Sequence, residues 1–214
     1  MPDHVIPFTT EHDSFKSTAP ETLGRFVGKH FIYTYANGWH YEAYIRSAYL
    51  ADFRIHSGLL AGRWVTSTKV HLVRITDDIC KMSWSEPTGT CVSLMYDVGK
   101  RRMHGTIFFP QWIAKTPKKA IVHENEHDAE MQALRDAGPT YPTMVIDEFA
   151  DITFMEDCGA NNDTVITCSS TDLPGTQRAR TELTKPSGNR SRGKMSCPRP
   201  TDHPLLPMQC RPRT

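Results

Sequence analysis

Tyr33 and Tyr35 stand two residues apart in an aromatic-rich segment, and a strand there aims both phenols at one face. Phe31 shares that face, which makes it the interior one. Two buried tyrosines either find backbone acceptors or, lining a pocket, form a two-donor fork for a carboxylate or phenolate. Tyr41, beyond the next turn, falls within reach of the same pocket. Arg63 interrupts an apolar run, Leu59-Leu60-Ala61-Gly62-Arg63-Trp64-Val65, so it either faces solvent or points inward and needs an anion. Glu86 poses the same choice, because period two puts Met82, Trp84 and Glu86 on one face. If that face is interior, desolvation beside an indole favours the acid form a proton donor needs, and Arg63 opposes it.

A competing motif is His123-Glu124-Asn125-Glu126-His127. On a helix, H-E-x-x-H places two imidazoles on one face for zinc, with the glutamate as general base. Here the first histidine follows the strand-like Ala120-Ile121-Val122, and Lys118, Lys119, Asp128 and Glu130 mark a solvated helix start. The pattern therefore reads as a surface helix start, with no metal expected.

The elements that must position these side chains are strands. Segments 30–36, 39–47, 49–57, 59–67, 70–76, 79–86, 91–97 and 103–109 alternate and are separated by hairpin punctuation. That punctuation comprises Asn37-Gly38, Gly58, Asp77-Asp78, Pro87-Thr88-Gly89 and Gly99-Lys100. Eight strands at roughly ten-residue spacing predict an antiparallel up-and-down sheet. Closed into a barrel, it would hold one small ligand. Residues 124–137 carry Ala129, Met131 and Leu134 at helical spacing and predict a single helix ending at Gly138-Pro139. Segments 144–146 and 152–155 are expected as late strands closing the sheet. The fold expected is mainly β, a small barrel with one accessory α-helix.

Composition bounds the rest. Of the chain's 214 residues, 38% are hydrophobic and 23% charged, and 25 Lys+Arg against 24 Asp+Glu leave a net charge of +1. No whole-protein field therefore points to nucleic acid. No apolar run approaches the roughly 20 residues of a membrane-spanning helix. Residues 1–15 contain Asp3, Glu11 and Asp13 without an apolar core, so no secretory signal is read there and the expectation is a soluble cytoplasmic protein. The six cysteines show no C-x-x-C pair and are expected as free thiols, Cys80 and Cys91 as small core residues. All aromatics lie between Phe8 and Phe154, whereas 170–214 hold seven prolines and nine Lys or Arg against three acids. This divides the chain into a flexible extension (1–23), a folded domain (24–169) and a disordered basic tail (170–214).

The long blocks around these residues carry a resemblance. They are His30-Phe31-Ile32-Tyr33-Thr34-Tyr35-Ala36-Asn37-Gly38-Trp39, Asp52-Phe53-Arg54-Ile55-His56-Ser57-Gly58, Ala61-Gly62-Arg63-Trp64-Val65 and Ser83-Trp84-Ser85-Glu86-Pro87-Thr88-Gly89-Thr90. His104-Gly105-Thr106-Ile107-Phe108-Phe109-Pro110 and Glu148-Phe149-Ala150-Asp151-Ile152-Thr153 continue them. Together they closely resemble the phenolic acid decarboxylases over about residues 24–168. The resemblance implies a lipocalin-like barrel, usually a homodimer, that converts 4-hydroxycinnamic acids (p-coumaric, ferulic, caffeic) to 4-vinylphenols without cofactor or metal. It places functional residues on Tyr33, Tyr35, Tyr41, Arg63, Glu86 and Thr90. Where the family has an aromatic residue at the helix start, this chain has His123. The N-terminal extension and the basic tail have no family counterpart.

The chemistry expected follows from the substrate. A 4-hydroxyl gives the reaction an electron sink: as phenolate it allows protonation of the alkene to a quinone methide, and loss of CO2 restores the ring. Glu86 is the expected acid, Tyr33 and Tyr35 the fork, and Arg63 the anchor of Glu86 or of the carboxylate. Tyr41 and Thr90 add polar contacts, and Trp84, Ile107 and Phe109 are expected as walls for the ring. The alternative is a non-catalytic lipocalin-like carrier of small aromatic ligands, which leaves Glu86 without a role.

Overall fold

The computed structural model describes residues 20–173. Nine antiparallel strands build one nearly closed barrel: β1 (Lys29–Tyr35), β2 (His40–Ile45), β3 (Leu50–Ile55), β4 (Trp64–Lys69), β5 (His71–Arg74), β6 (Ile79–Ser85), β7 (Cys91–Asp97), β8 (Arg102–Phe109) and β9 (Met144–Asp157). Two short meanders, β1–β4 and β5–β8, are joined because β9 pairs with both β1 and β8, in the order β4-β3-β2-β1-β9-β8-β7-β6-β5. The eight expected strands are all present, and seven lie within two residues of their expected ends.

Three elements differ. The fourth strand begins only at Trp64, because 58–63 form a tight turn in which Gly62 donates to the Ile55 carbonyl and Arg63 to that of Leu60. Gly62 takes φ +100, a left-handed conformation that a side chain resists. The two late strands are one, since β9 runs 14 residues. The single expected helix is broken at its start: Glu124–Glu126 form a 3-10 turn, and the α-helix proper spans Asp128–Ala137. Met131 is its buried contact, whereas Ala129 lies exposed. A further short helix, Gln111–Lys115, follows β8 and buries Trp112 and Ile113.

The free edge of β4 does not stay bare. Trp64 bridges to His123, and Asn125 bonds both the backbone N–H and the carbonyl of Thr66 through its side chain. Pairing this edge brings residues 120–125 against Arg63 and the start of β4. The outer face of β1–β3 is covered as well, which is why β2 is buried at all six positions instead of alternating. The covering chain follows β9. Tyr44 donates to the Gly159 carbonyl (2.6 Å), Arg54 to that of Cys168 (3.3 Å) and Ser170 to that of Ile55 (2.8 Å). The packed chain thus reaches Leu173, itself buried, a few residues into the stretch expected as tail; the remainder of that stretch lies outside the described residues. At the other end Leu23 and Phe26 are fully buried, so Leu23, expected as extension, belongs to the core.

Under this cover sits a buried ionic cluster. Glu42 accepts from His30 Nε2 (2.7 Å), His56 Nε2 (2.7 Å) and the Arg54 Nε (2.5 Å) and Nη2 (2.7 Å). Burial alone raises its carboxyl, yet those bonds from His30, His56 and Arg54 and the Arg54 charge hold it well below the usual 4.5. A carboxyl lowered on folding adds stability above its unfolded range and loses it as pH falls toward the folded value. Glu42→Gln strands a buried guanidinium, an expected loss of about 3–5 kcal/mol near neutral pH. Urea-unfolding midpoints check this: the gap between wild type and variant narrows as pH drops below about 4.5. Equal midpoints at pH 7 contradict it.

Candidate active site

Inside the barrel, Phe31, Tyr33 and Tyr35 alternate inward along β1, and Tyr41 points to the same interior from β2. The Tyr35 ring lies 5.5 Å from that of Tyr33 and 5.4 Å from that of Tyr41, in near-perpendicular contacts. Tyr96 of β7, which sequence reasoning did not single out, closes the group at 6.4 Å from Tyr33 and stacks on Phe31. Desolvation pushes the phenols of Tyr33, Tyr35, Tyr41 and Tyr96 well above their usual range, and neighbouring phenols push three of them further. For Tyr41 the next influence is Glu86, which in its ionised form would add to the rise, with Arg63 opposing. All four remain O–H groups at neutral pH, so they can donate to an anion. The Tyr41 hydroxyl has no hydrogen-bond partner within the described protein.

Arg63 is wholly buried, at 0% exposure, which settles its direction as inward. It reaches the interior from the end of the 58–63 turn, not from the middle of a strand. Its Nη1 donates to the Ala120 carbonyl (2.8 Å), and its Nη2 donates to Glu86 Oε2 (3.0 Å) and to Glu124 Oε2. Glu86 lies just past the end of β6, held by its backbone bond to the Thr90 carbonyl (2.8 Å). Trp84 Nε1 donates to its Oε1 (3.3 Å), while Thr88 Oγ1 lies 3.2 Å from its Oε2 and 2.9 Å from Thr90 Oγ1. The carboxyl is therefore inside, with an indole and a guanidinium as neighbours.

One cavity is lined by all nine residues expected from the sequence: Tyr33, Tyr35, Tyr41, Arg63, Trp84, Glu86, Thr90, Ile107 and Phe109. Phe53, Ile55, Leu60, Val92 and Leu94 complete an otherwise apolar wall. Its volume is only about 30 Å³, enough for about one water. An aromatic acid enters only if lining side chains move apart.

Glu124 is the residue that sequence reasoning placed elsewhere. Its exposure is 3%, and its carboxylate goes to Arg63 and not to solvent. The H-E-x-x-H segment lacks the helical geometry its spacing suggests, since His123 and His127 flank a 3-10 turn. His123 stacks on Trp64 at 3.7 Å, doing what an aromatic residue does there, and His127 bonds Glu130 at the surface. The signal for Glu124 was Arg63 itself, a buried cation among apolar neighbours that one carboxylate does not fully surround. Cys80 is buried as expected, but Cys91 points outward and is exposed. Cys197 and Cys210 lie outside the described residues.

A nearly closed barrel enclosing phenol donors, a guanidinium and a carboxyl has the groups for acid–base chemistry in an otherwise apolar cavity. The chain belongs to the phenolic acid decarboxylase family, whose sequence profile matches residues 23–180. It is 48% identical over 151 residues to a probable phenolic acid decarboxylase of Vibrio cholerae serotype O1, covering 71% of this chain and 87% of that protein. It is 47% identical over 144 residues to phenolic acid decarboxylase PadC of Bacillus subtilis, covering 67% and 89% respectively. The family consists of carboxy-lyases, so the carrier reading gives way to an enzyme.

Gly105 of β8 shows how tightly the phenols are seated. A Cβ there would lie 2.5 Å from the Tyr35 hydroxyl and 2.8 Å from its ring. Gly105→Ala is expected to displace that phenol and lower kcat/KM roughly 10–100-fold with the fold retained. Steady-state kinetics beside a thermal melt check this, and an unchanged kcat/KM contradicts it.

Proposed function

We propose that the protein decarboxylates 4-hydroxycinnamic acids such as p-coumaric, ferulic and caffeic acids to 4-vinylphenols and CO2. The observation that carries this reading is the convergence of Glu86, Arg63 and the tyrosines in one closed, apolar cavity. The tyrosine hydroxyls stay protonated and donate to one end of the substrate, its phenolate or its carboxylate; either pose uses the same residues. Protonated Glu86 gives its proton to the carbon bearing the carboxylate while the phenolate pushes electrons through ring and alkene. The product of that step is a quinone methide. Its C–CO2 bond then breaks, the bonding pair restores the aromatic ring as a vinylphenolate, and CO2 leaves. The proton released when the substrate's 4-hydroxyl became phenolate returns to that oxygen to give the 4-vinylphenol. Net, each turnover consumes one proton, which Glu86 regains from solvent.

Arg63 fixes the Glu86 carboxyl, and Tyr41 and Thr90 supply further polar contacts at the same end of the cavity. Trp84, Ile107 and Phe109 wall the flat ring and exclude water, which strengthens every interaction inside. No cofactor enters this scheme, because the substrate's own hydroxyl is the electron sink. A homodimer and a cytoplasmic location go with the proposal. The exposed apolar side chains Met95, Phe108, Val145 and Phe149 on neighbouring strands β7–β9 support the dimer. No described helix is long and apolar enough to cross a membrane.

Glu86→Ala is expected to lower kcat by ~10²–10⁴-fold while the fold persists. Product formation from ferulic acid, followed as 4-vinylguaiacol, measures it, and near-normal turnover removes Glu86 as proton donor. Plain cinnamic acid, which lacks the 4-hydroxyl, is expected to go unconverted. Its decarboxylation at a similar rate excludes the quinone-methide route.

A further inference from the structure

Arg63 carries a permanent charge and sits at 0% exposure with two carboxyls on the same nitrogen. Glu86 lines the cavity, whereas Glu124 approaches Arg63 from the segment that pairs with β4. Counting charge decides what this arrangement does. One guanidinium neutralises one carboxylate, and the second, if ionised, is a net negative charge buried beside the first. A dry site disfavours that state. Glu86 and Glu124 therefore compete for one guanidinium nitrogen.

We propose that Glu124 is a positioning residue that keeps Glu86 in its acid form by competing with it for Arg63. This rests on the decarboxylation reading above for its kinetic test, because Glu86 must act as an acid. The other groups facing Glu86 leave the balance to Arg63 and Glu124. They are Tyr41 from β2, Trp84 from β6, and Thr88 and Thr90 from the β6–β7 turn. Of these only Tyr41 can ionise, and burial holds it as a neutral O–H group. Cys91 of β7, on the outer face, is the remaining titratable neighbour, and its thiol is raised by desolvation and by Glu86. Glu124 touches neither substrate nor cavity in this account; it works through Arg63.

Glu124→Gln tests this, because the amide keeps an acceptor toward Arg63 but removes the charge. Arg63 then acts on Glu86 alone and favours its carboxylate, so the alkaline limb of the kcat–pH profile is expected to move down by roughly one to three pH units. KM is expected to stay nearly unchanged, and activity is expected to recover on acidification. Glu124→Asp retains the charge and is expected to leave the limb in place. A merely structural role lowers the rate equally at every pH, so a superimposable profile shape for Glu124→Gln overturns the proposal.

A second measurement does not depend on that variant folding. Wild-type protein at pH 7 is expected to show the infrared C=O stretch of a protonated carboxylic acid, removed by Glu86→Gln. Absence of that band overturns the proposal. If the band is present but the wild type converts no hydroxycinnamate at any pH, the decarboxylation reading fails and the protonation inference stands.

Discussion

A guanidinium that cannot lose its proton is enclosed in this barrel, and the site is organised around compensating it. Arg63 has no access to water, so its charge must be met by protein oxygens. Two separate pieces of chain supply three such groups: the Ala120 carbonyl and Glu124 from one segment, and Glu86 from the β6–β7 turn. Neither piece is adjacent in sequence to the 58–63 turn that delivers the arginine. Removing any one leaves a buried charge short of partners, which is why these turns are placed so closely although they lie outside the strands.

Neighbouring residues on β2 divide stability from chemistry. Tyr41 faces the interior, where burial keeps its phenol protonated and available to donate. Glu42 faces outward into the cluster of His30, His56 and Arg54, where hydrogen bonds keep its carboxyl ionised. The alternation of a strand thus separates a phenol pocket from an ionic clamp by the thickness of one sheet. The clamp is sealed by the chain that follows β9, which also fastens the 58–63 turn through Ser169 Oγ and the Gly62 carbonyl (2.8 Å). Outer-face packing and the seating of Arg63 are therefore connected through the same backbone.

The strands were legible because their signals are local. Asn37-Gly38 marks the first hairpin, and alternation assigns Phe31, Tyr33 and Tyr35 to one face. Period two likewise put Trp84 and Glu86 together, and both line the cavity. Period two had nothing to say about Arg63, since its position is set by a turn whose geometry depends on Gly62. Glu124 was hidden for a different reason: Asn125, Glu126 and Asp128 around it are polar, and its burial follows from the pairing of 122–125 with the free edge of β4, a contact between segments some sixty residues apart. The same long-range pairing breaks the expected helix at its start.

The central claim is that a 4-hydroxycinnamate lies inside the barrel with the carbon beside its carboxylate against Glu86. A crystal structure with the unreactive saturated analogue 3-(4-hydroxyphenyl)propanoate tests it most directly. The ring is expected between Trp84, Ile107 and Phe109, with that carbon within about 3.5 Å of a Glu86 oxygen. An analogue bound outside the barrel, or inside it with Glu86 turned away from that carbon, rules out Glu86 as the acid in this pocket.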